Sequence, residues 1–108
     1  MSSISLEDFR KVELRTARIL EVSEIAGADK LWKLSVDLGS EKKEIIAGIK
    51  NAYPRETLLG KNVIVVNNLV PAVIRGVISN GMLLAAKDGQ TLSILILDKD
   101  VTPGSVVA

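Results

Sequence analysis

The amino-acid sequence predicts a small all-β protein. Valine, isoleucine and leucine are abundant and fall into short runs, which favours strands over helices. Glycine, proline, asparagine and aspartate separate these runs, as they do at turns. The 108 residues, of which 47% are apolar and 25% charged, are enough for one globular domain with its own core.

The first half of the chain predicts a helical turn and three strands. Residues 5–10 can form the turn. A strand follows over 12–25, and its apolar phase shifts near Ala17, which indicates a bulge or bend that lets one strand serve both sheets of a small barrel. Residues 31–38 alternate between apolar and polar side chains, and together with 43–47 they predict a hairpin.

The second half predicts a short helix over 54–59, a buried strand over 62–69, and a pair formed by 79–86 and 91–97. Three strands, a short helix and further strands are the order of the OB-fold. We therefore expect a five-stranded, partly open barrel with its helix between strands three and four. Another small barrel, such as an SH3-like one, is the alternative, and the position of the helix favours the OB-fold.

Composition excludes several kinds of chemistry. The chain has no histidine and no cysteine, so it cannot build a Ser-His-Asp triad, a Cys-His dyad or a thiolate metal site by itself. The sequence predicts no catalytic residue, no bound metal and no cofactor. No signal peptide is visible and no apolar run approaches the roughly 18 residues of a membrane span. The absence of cysteine fits a cytoplasmic protein.

Seven short motifs give the sequence a family likeness. They are, in order, 8–15 (DFRKVELR), 28–31 (ADKL), 36–39 (VDLG), 46–49 (IAGI), 53–61 (YPxExLxGK), 67–71 (NxLxP) and 76–86 (GxxSxGMxLAA). Their order and spacing resemble the tRNA-binding OB domain. That domain occurs as a free dimeric protein, as an appendage of methionyl-tRNA synthetase, or as the separate β subunit of that enzyme. The CsaA chaperone is a relative.

The resemblance implies that residues 1–108 form a single domain that binds tRNA by its shape and acts beside methionyl-tRNA synthetase. It implies no small-molecule substrate. The alternative is a CsaA-like chaperone that binds unfolded or export-bound polypeptides. Val73 and Ile78 motivate this alternative, because the family often has lysine and an acidic residue at these positions.

Candidate RNA-binding residues come from the second and third strands, their loops and the SxGM motif. Cationic groups can contact phosphates, while hydroxyl and amide groups can contact base edges. Glycine allows a close approach to the backbone, and methionine offers an adaptable apolar surface. The candidates are Lys30, Lys33, Lys43, Asn67, Arg75, Ser79, Asn80, Gly81 and Met82. Ordinary solvated lysines, and an asparagine that caps a turn, are the alternatives that this pattern leaves open.

The net charge of +1 predicts a moderate, salt-sensitive affinity for RNA. The C-terminal third is unusually apolar, and residues 94–97 leave no polar face, which indicates burial under another subunit. Family members form homodimers through terminal extensions, so we expect a homodimer with Leu92, Ile94, Ile96 and Val106 in its interface. Cover by a loop or by the N-terminal turn is the alternative.

Overall fold

The computed structural model describes residues 2–108. The main sheet is antiparallel and has five strands in the order β3-β2-β1-β4-β7. Two small hairpins, β5-β6 and β8-β9, accompany it. The elements are α1 (Leu6–Phe9), β1 (Leu14–Ile25), β2 (Ala28–Asp37), β3 (Lys42–Ala47), α2 (Arg55–Leu58), β4 (Asn62–Val66), β5 (Ala72–Ile74), β6 (Val77–Ser79), β7 (Met82–Leu83), β8 (Ala85–Asp88) and β9 (Thr91–Ile94).

Strand β1 joins the two halves of the sheet. Residues 14–18 pair with β4, and from Arg18 onward the strand pairs with β2. A register shift between Ile19 and Glu21 marks the bulge. The sequence placed this bend near Ala17, a few residues too early, but the expectation that one bent strand serves two parts of the barrel is confirmed.

The core is built from the inward faces of β1 to β4. On β2, the alternation of side chains places Trp32, Leu34 and Val36 in the interior, as the sequence predicts. Helix α2 closes one end of the core through Leu58, which is fully buried. The short helix therefore lies between the third and fourth strands, and the OB-like, all-β architecture is confirmed.

The second half of the chain folds differently from its prediction. Strand β4 ends at Val66, and the β5-β6 hairpin follows it, although the sequence predicts no hairpin there. Met82 pairs with β4 instead of joining the last ribbon. That ribbon is shorter than predicted, because Met82 and Leu83 pair with β4 and β9 ends at Ile94. Strands β8 and β9 meet across a tight two-residue loop, Gly89-Gln90.

The barrel is only partly closed. Its sheet ends at β3 on one side and β7 on the other, and residues 79–80 bridge the gap between them. The Asn80 N–H donates to the Glu44 carbonyl at 2.8 Å, and the Ile46 N–H donates to the Ser79 hydroxyl at 2.9 Å. We call this gap the seam.

One predicted interface residue belongs to the core. Ile94 is 6% exposed, and its N–H donates to the Tyr53 hydroxyl at 3.1 Å. The prediction that Ile94 faces a partner is therefore wrong, because β9 directs this side chain inward. Leu92 is half-buried against the same core, whereas Ile96 and Val106 are exposed. Within residues 2–108, no helix is long and apolar enough to cross a membrane.

Candidate nucleic-acid interface

The predicted binding residues surround strand β3. Lys33 on β2 is the register partner of Ile46 on β3, and the Ser79 hydroxyl binds the backbone of that same residue. At the other end of β3, the Lys43 ammonium donates to the Asn67 carbonyl at 3.0 Å. The fold thus brings residues of β2, β3 and β6 and the residue just after β4 together, although their positions in the sequence are far apart.

Ser79 and Gly81 hold the seam together. The Ser79 side chain is buried, and its hydroxyl accepts from Ile46 while donating its one hydrogen to the Gly81 carbonyl at 3.2 Å. Gly81 has φ of 137°, and an added Cβ would lie 3.0 Å from the Val66 carbonyl oxygen. The motif therefore allows a close approach within the chain itself, and its exposed member is Met82, while Asn80 is half-buried.

Met82 lies beside the seam with 46% of its surface exposed, so it is available to a ligand. A recess of about 220 Å³ opens next to it. This recess is lined by aliphatic residues of several segments, among them Ile49 just after β3, Leu83 of β7 and Leu92 of β9. The surface at the seam is thus apolar, and it offers the adaptable contact that a methionine can provide.

A polar network at the far end of β3 was not predicted from the sequence. Glu13 receives two hydrogen bonds from the Arg15 guanidinium, the shorter at 2.7 Å, and one from the Asn67 amide at 3.1 Å. The hydrogen bonds from Arg15, and after them the one from Asn67, hold the pKa of the Glu13 carboxyl below its usual value of 4.5. The signal was present in the first motif, because residues 13 and 15 share one face of a strand.

Asn67 is central to this network. Its amide and its carbonyl bind Glu13 and Lys43, while its Oδ1 atom is buried without a partner among residues 2–108. A polar recess of about 190 Å³ lies beside it, lined also by Ser40 and Glu41. The asparagine therefore orders the end of the strand and also borders a recess, so the structure accommodates both interpretations of this residue.

Arg75 occupies the tip of the β5-β6 hairpin. It has φ of 53° and Gly76 has φ of 78°, which together make the two-residue turn whose twist suits a hairpin. Lys30 and Arg75 border one depression of about 400 Å³, which Asp29 also lines. Within residues 2–108, neither of the two cationic side chains makes an ion pair, so both charges are available to an anion.

Lys33, between these two groups of cations, has a carboxylate neighbour. The Lys33 ammonium lies 3.5 Å from the Glu44 carboxylate, an exposed pair of little energetic consequence. In contrast, the segment from 57 to 87 contains no aspartate or glutamate and carries Lys61, Arg75 and Lys87. The β5-β6 hairpin therefore carries no acidic residue of its own, whereas Glu44 of β3 borders the seam.

A curved, partly open barrel with amide, hydroxyl and cationic groups around its third strand defines an OB-type binding domain. The chain belongs to the family of putative tRNA-binding domains, whose family model matches residues 14–106. It is 48% identical over 107 residues to a methionine–tRNA ligase of Thermotoga maritima. This match covers 99% of this chain and 17% of that ligase.

Solved structures give the same assignment. A MetRS-related protein from Pyrococcus horikoshii superposes with a TM-score of 0.94 at 32% identity, and the match covers all of both chains. A CsaA chaperone protein from Picrophilus torridus superposes with a TM-score of 0.90 at 33% identity, covering 98% of this chain and 100% of that one. The expected family is thus confirmed, and the role of each candidate residue stays a prediction.

Proposed function

We propose that this protein binds folded tRNA through shape and backbone contacts and catalyses no reaction itself. The observation that carries the proposal is the family match over 14–106, which includes every cationic and amide side chain around β3. Among residues 2–108, no three metal-ligating side chains lie close enough to hold a metal ion. A protein with this role in translation would work in the cytoplasm.

The cationic groups give the RNA two places to bind. Lys30 and Arg75 lie at one end of the β2-β3 surface, and Lys43 lies at the other end. Lys33 sits between them on β2, and its exposed carboxylate partner can yield to a phosphate at little cost. This arrangement suits a phosphate backbone that crosses the strands, with Asn80 and Met82 at the seam facing bases or sugars.

The relatives suggest the context in which tRNA is bound. The chain spans about a sixth of the length of the methionine–tRNA ligase from Thermotoga maritima, which carries this domain and the rest of the ligase in one chain. A domain that binds tRNA and also binds a synthetase would raise the local concentration of tRNA at that enzyme. We propose methionyl-tRNA synthetase as the enzyme partner.

We propose that a second copy of this chain packs against an apolar groove formed by the two termini. Helix α1 buries none of its residues, and Leu6 and Phe9 border a groove of about 380 Å³ together with Val106. Val106 is 68% exposed, and it bridges to Arg15 on β1. Two such grooves related by a twofold axis could cover each other, as isologous interfaces do.

Polypeptide binding is the second candidate function, and the exposure of Val73 and Ile78 favours it. The likeness to a CsaA chaperone protein points the same way, but that likeness is shared with a MetRS-related protein. The two candidates differ in their response to salt. RNA binding through phosphates weakens as salt rises, whereas apolar binding of a polypeptide does not.

The proposed function is tested by fluorescence titration of the protein with bulk tRNA, with a heat-unfolded transcript of similar length as the control RNA. We expect micromolar or tighter binding of folded tRNA at low salt, and weaker binding of the control. The absence of tRNA binding at low salt would contradict the proposal. A tighter complex with an unfolded polypeptide would favour the second candidate.

A further inference from the structure

The β5-β6 hairpin has two apolar faces, and only one of them is used within the chain. Its strands pair Val73 with Ile78 and Ile74 with Val77. Ile74 and Val77 pack on a small buried cluster that includes Ile46 of β3. Because neighbouring residues of a strand point to opposite faces, Val73 and Ile78 face away from this cluster.

The outward pair is exposed to an unusual degree. Val73 is 71% exposed and Ile78 is 59% exposed, and the two β-branched side chains lie directly across from each other. Val70, just before the hairpin, is 88% exposed. An exposed pair of aliphatic side chains on a short ribbon costs solvation free energy, so a ligand that covers it is favoured. We call Val73 and Ile78 the hairpin patch.

The charges around the hairpin patch favour an anionic ligand. Arg75 lies at the tip of the same hairpin, and Lys30 and Asp29 border the depression below it, so two cations face one carboxylate there. No carboxylate occurs between Glu56 and Asp88, so the hairpin itself has none to repel a phosphate. An apolar surface with a cationic rim matches the two parts of a nucleotide, a flat base and a charged backbone.

The aromatic residues lie elsewhere in the chain. Trp32 is buried in the core and donates from Nε1 to the Tyr53 carbonyl at 2.9 Å, while Phe9 borders the groove at the termini. Single-stranded regions of RNA normally stack their bases on aromatic rings. None of the three aromatic residues of the chain lies at the hairpin, so the hairpin offers no aromatic ring for stacking. An aliphatic pair can cover a base face by dispersion and apolar burial instead.

We propose that the hairpin patch contacts unstacked bases in a loop of the bound tRNA, so that Val73 and Ile78 act as an aliphatic platform while Arg75 contacts the backbone beside it. This inference rests on the proposed function. It predicts that the protein distinguishes RNA with exposed bases from an uninterrupted duplex, in which every base face is stacked.

The test is a fluorescence titration of the double variant Val73→Thr/Ile78→Thr with tRNA and with a fully paired RNA duplex of equal length, each over a series of salt concentrations. Threonine retains β-branching, so the hairpin keeps its strand preference. Leu59→Thr is the matched control, because Leu59 is an exposed aliphatic residue at the end of α2, which packs on β1. Circular dichroism and urea unfolding check that all variants fold.

We expect the double variant to bind tRNA about tenfold more weakly, as the loss of roughly 60 Å² of apolar contact implies. The salt dependence of its binding should be unchanged, because no phosphate contact is lost. Its affinity for the duplex and the behaviour of Leu59→Thr should match those of the wild-type protein.

Wild-type tRNA affinity in the double variant would overturn this inference and leave the proposed function intact. So would an equal loss of affinity for tRNA and for the duplex, since that result would not involve exposed bases. If the wild-type protein binds no tRNA at low salt, both proposals fail. If it instead binds an unfolded polypeptide and the double variant does not, the hairpin patch is a polypeptide site and the inference is overturned.

Discussion

The Ser79 hydroxyl accepts a hydrogen bond of 2.9 Å from the backbone N–H of Ile46, a residue 33 positions away in the chain. This bond closes the seam of the barrel at the place where β3 has no strand beside it. Since both groups are buried, the loss of the hydroxyl leaves a buried N–H without a partner.

Ser79→Ala is therefore expected to destabilise the protein by about 1–3 kcal/mol. Urea unfolding followed by circular dichroism measures the change. Ser93→Ala is the matched control, because Ser93 is exposed and its hydroxyl makes only a long contact of 3.5 Å to a carbonyl. Equal stabilities of the two variants would show that the bond at the seam contributes nothing.

Gly81→Ala should also destabilise the protein, by about 1–3 kcal/mol, because φ of 137° and the close Val66 carbonyl both disfavour a Cβ. Gly27→Ala is the control for a glycine with positive φ in open space. Gly27 has φ of 77° and no atom within 4 Å of an added Cβ, so its substitution costs backbone strain without a clash, and at a φ less restrictive than that of Gly81. If Gly81→Ala costs no more than Gly27→Ala in urea unfolding, the packing at the seam is looser than described.

The alternation of Trp32, Leu34 and Val36 with polar residues predicted the core face of β2, because the buried face of a strand is visible in every second residue of its sequence. The β5-β6 hairpin was missed for the opposite reason. It is apolar on both faces, and its turn begins with arginine at positive φ, where asparagine or aspartate is the usual signal.

The contacts of the site were equally hidden from the sequence. Glu13 and Asn67 are 54 positions apart, and no local pattern announces that their side chains meet. Ser79 was predicted to contact RNA because its motif is specific, yet its hydroxyl is used inside the fold. The motif thus marked a segment that closes the barrel, and burial decides which of its members are exposed; its contact with RNA stays a prediction.

Stability should depend on the charge of Glu13 in acid. The pKa of this carboxyl is lowered in the folded protein, so its ionised form contributes stability above pH 4.5, and this contribution is lost as the pH falls through the folded-state pKa. Urea unfolding of the wild type and of Glu13→Gln should differ most above about pH 5.5, and the difference should shrink below pH 4.5 and end below the lowered folded-state pKa.

Glu7→Gln serves as the control for this pH series, because Glu7 is exposed and forms no ion pair within residues 2–108. Its stability should follow that of the wild type throughout. A difference between wild type and Glu13→Gln that does not change with pH would show that the charge of Glu13 is immaterial.

The apolar groove at the termini predicts a homodimer, and one charged substitution in the groove should dissociate it into monomers. Val106→Asp places a carboxylate in the apolar groove, so sedimentation velocity at micromolar concentration should give twice 11.6 kDa for the wild type and a monomer for the variant. Val70→Asp, at an exposed valine outside the groove, should stay dimeric. A monomeric wild-type protein would contradict the proposed homodimer.

The most direct test of tRNA binding is the salt dependence of the dissociation constant. With contacts from Lys30, Lys33, Lys43 and Arg75, the logarithm of affinity should fall with the logarithm of salt concentration with a slope of about −3. Arg75→Asn should reduce the slope by about 1, while asparagine before Gly76 still suits the hairpin turn. A slope near zero, or an unchanged slope in Arg75→Asn, would contradict phosphate binding at this surface.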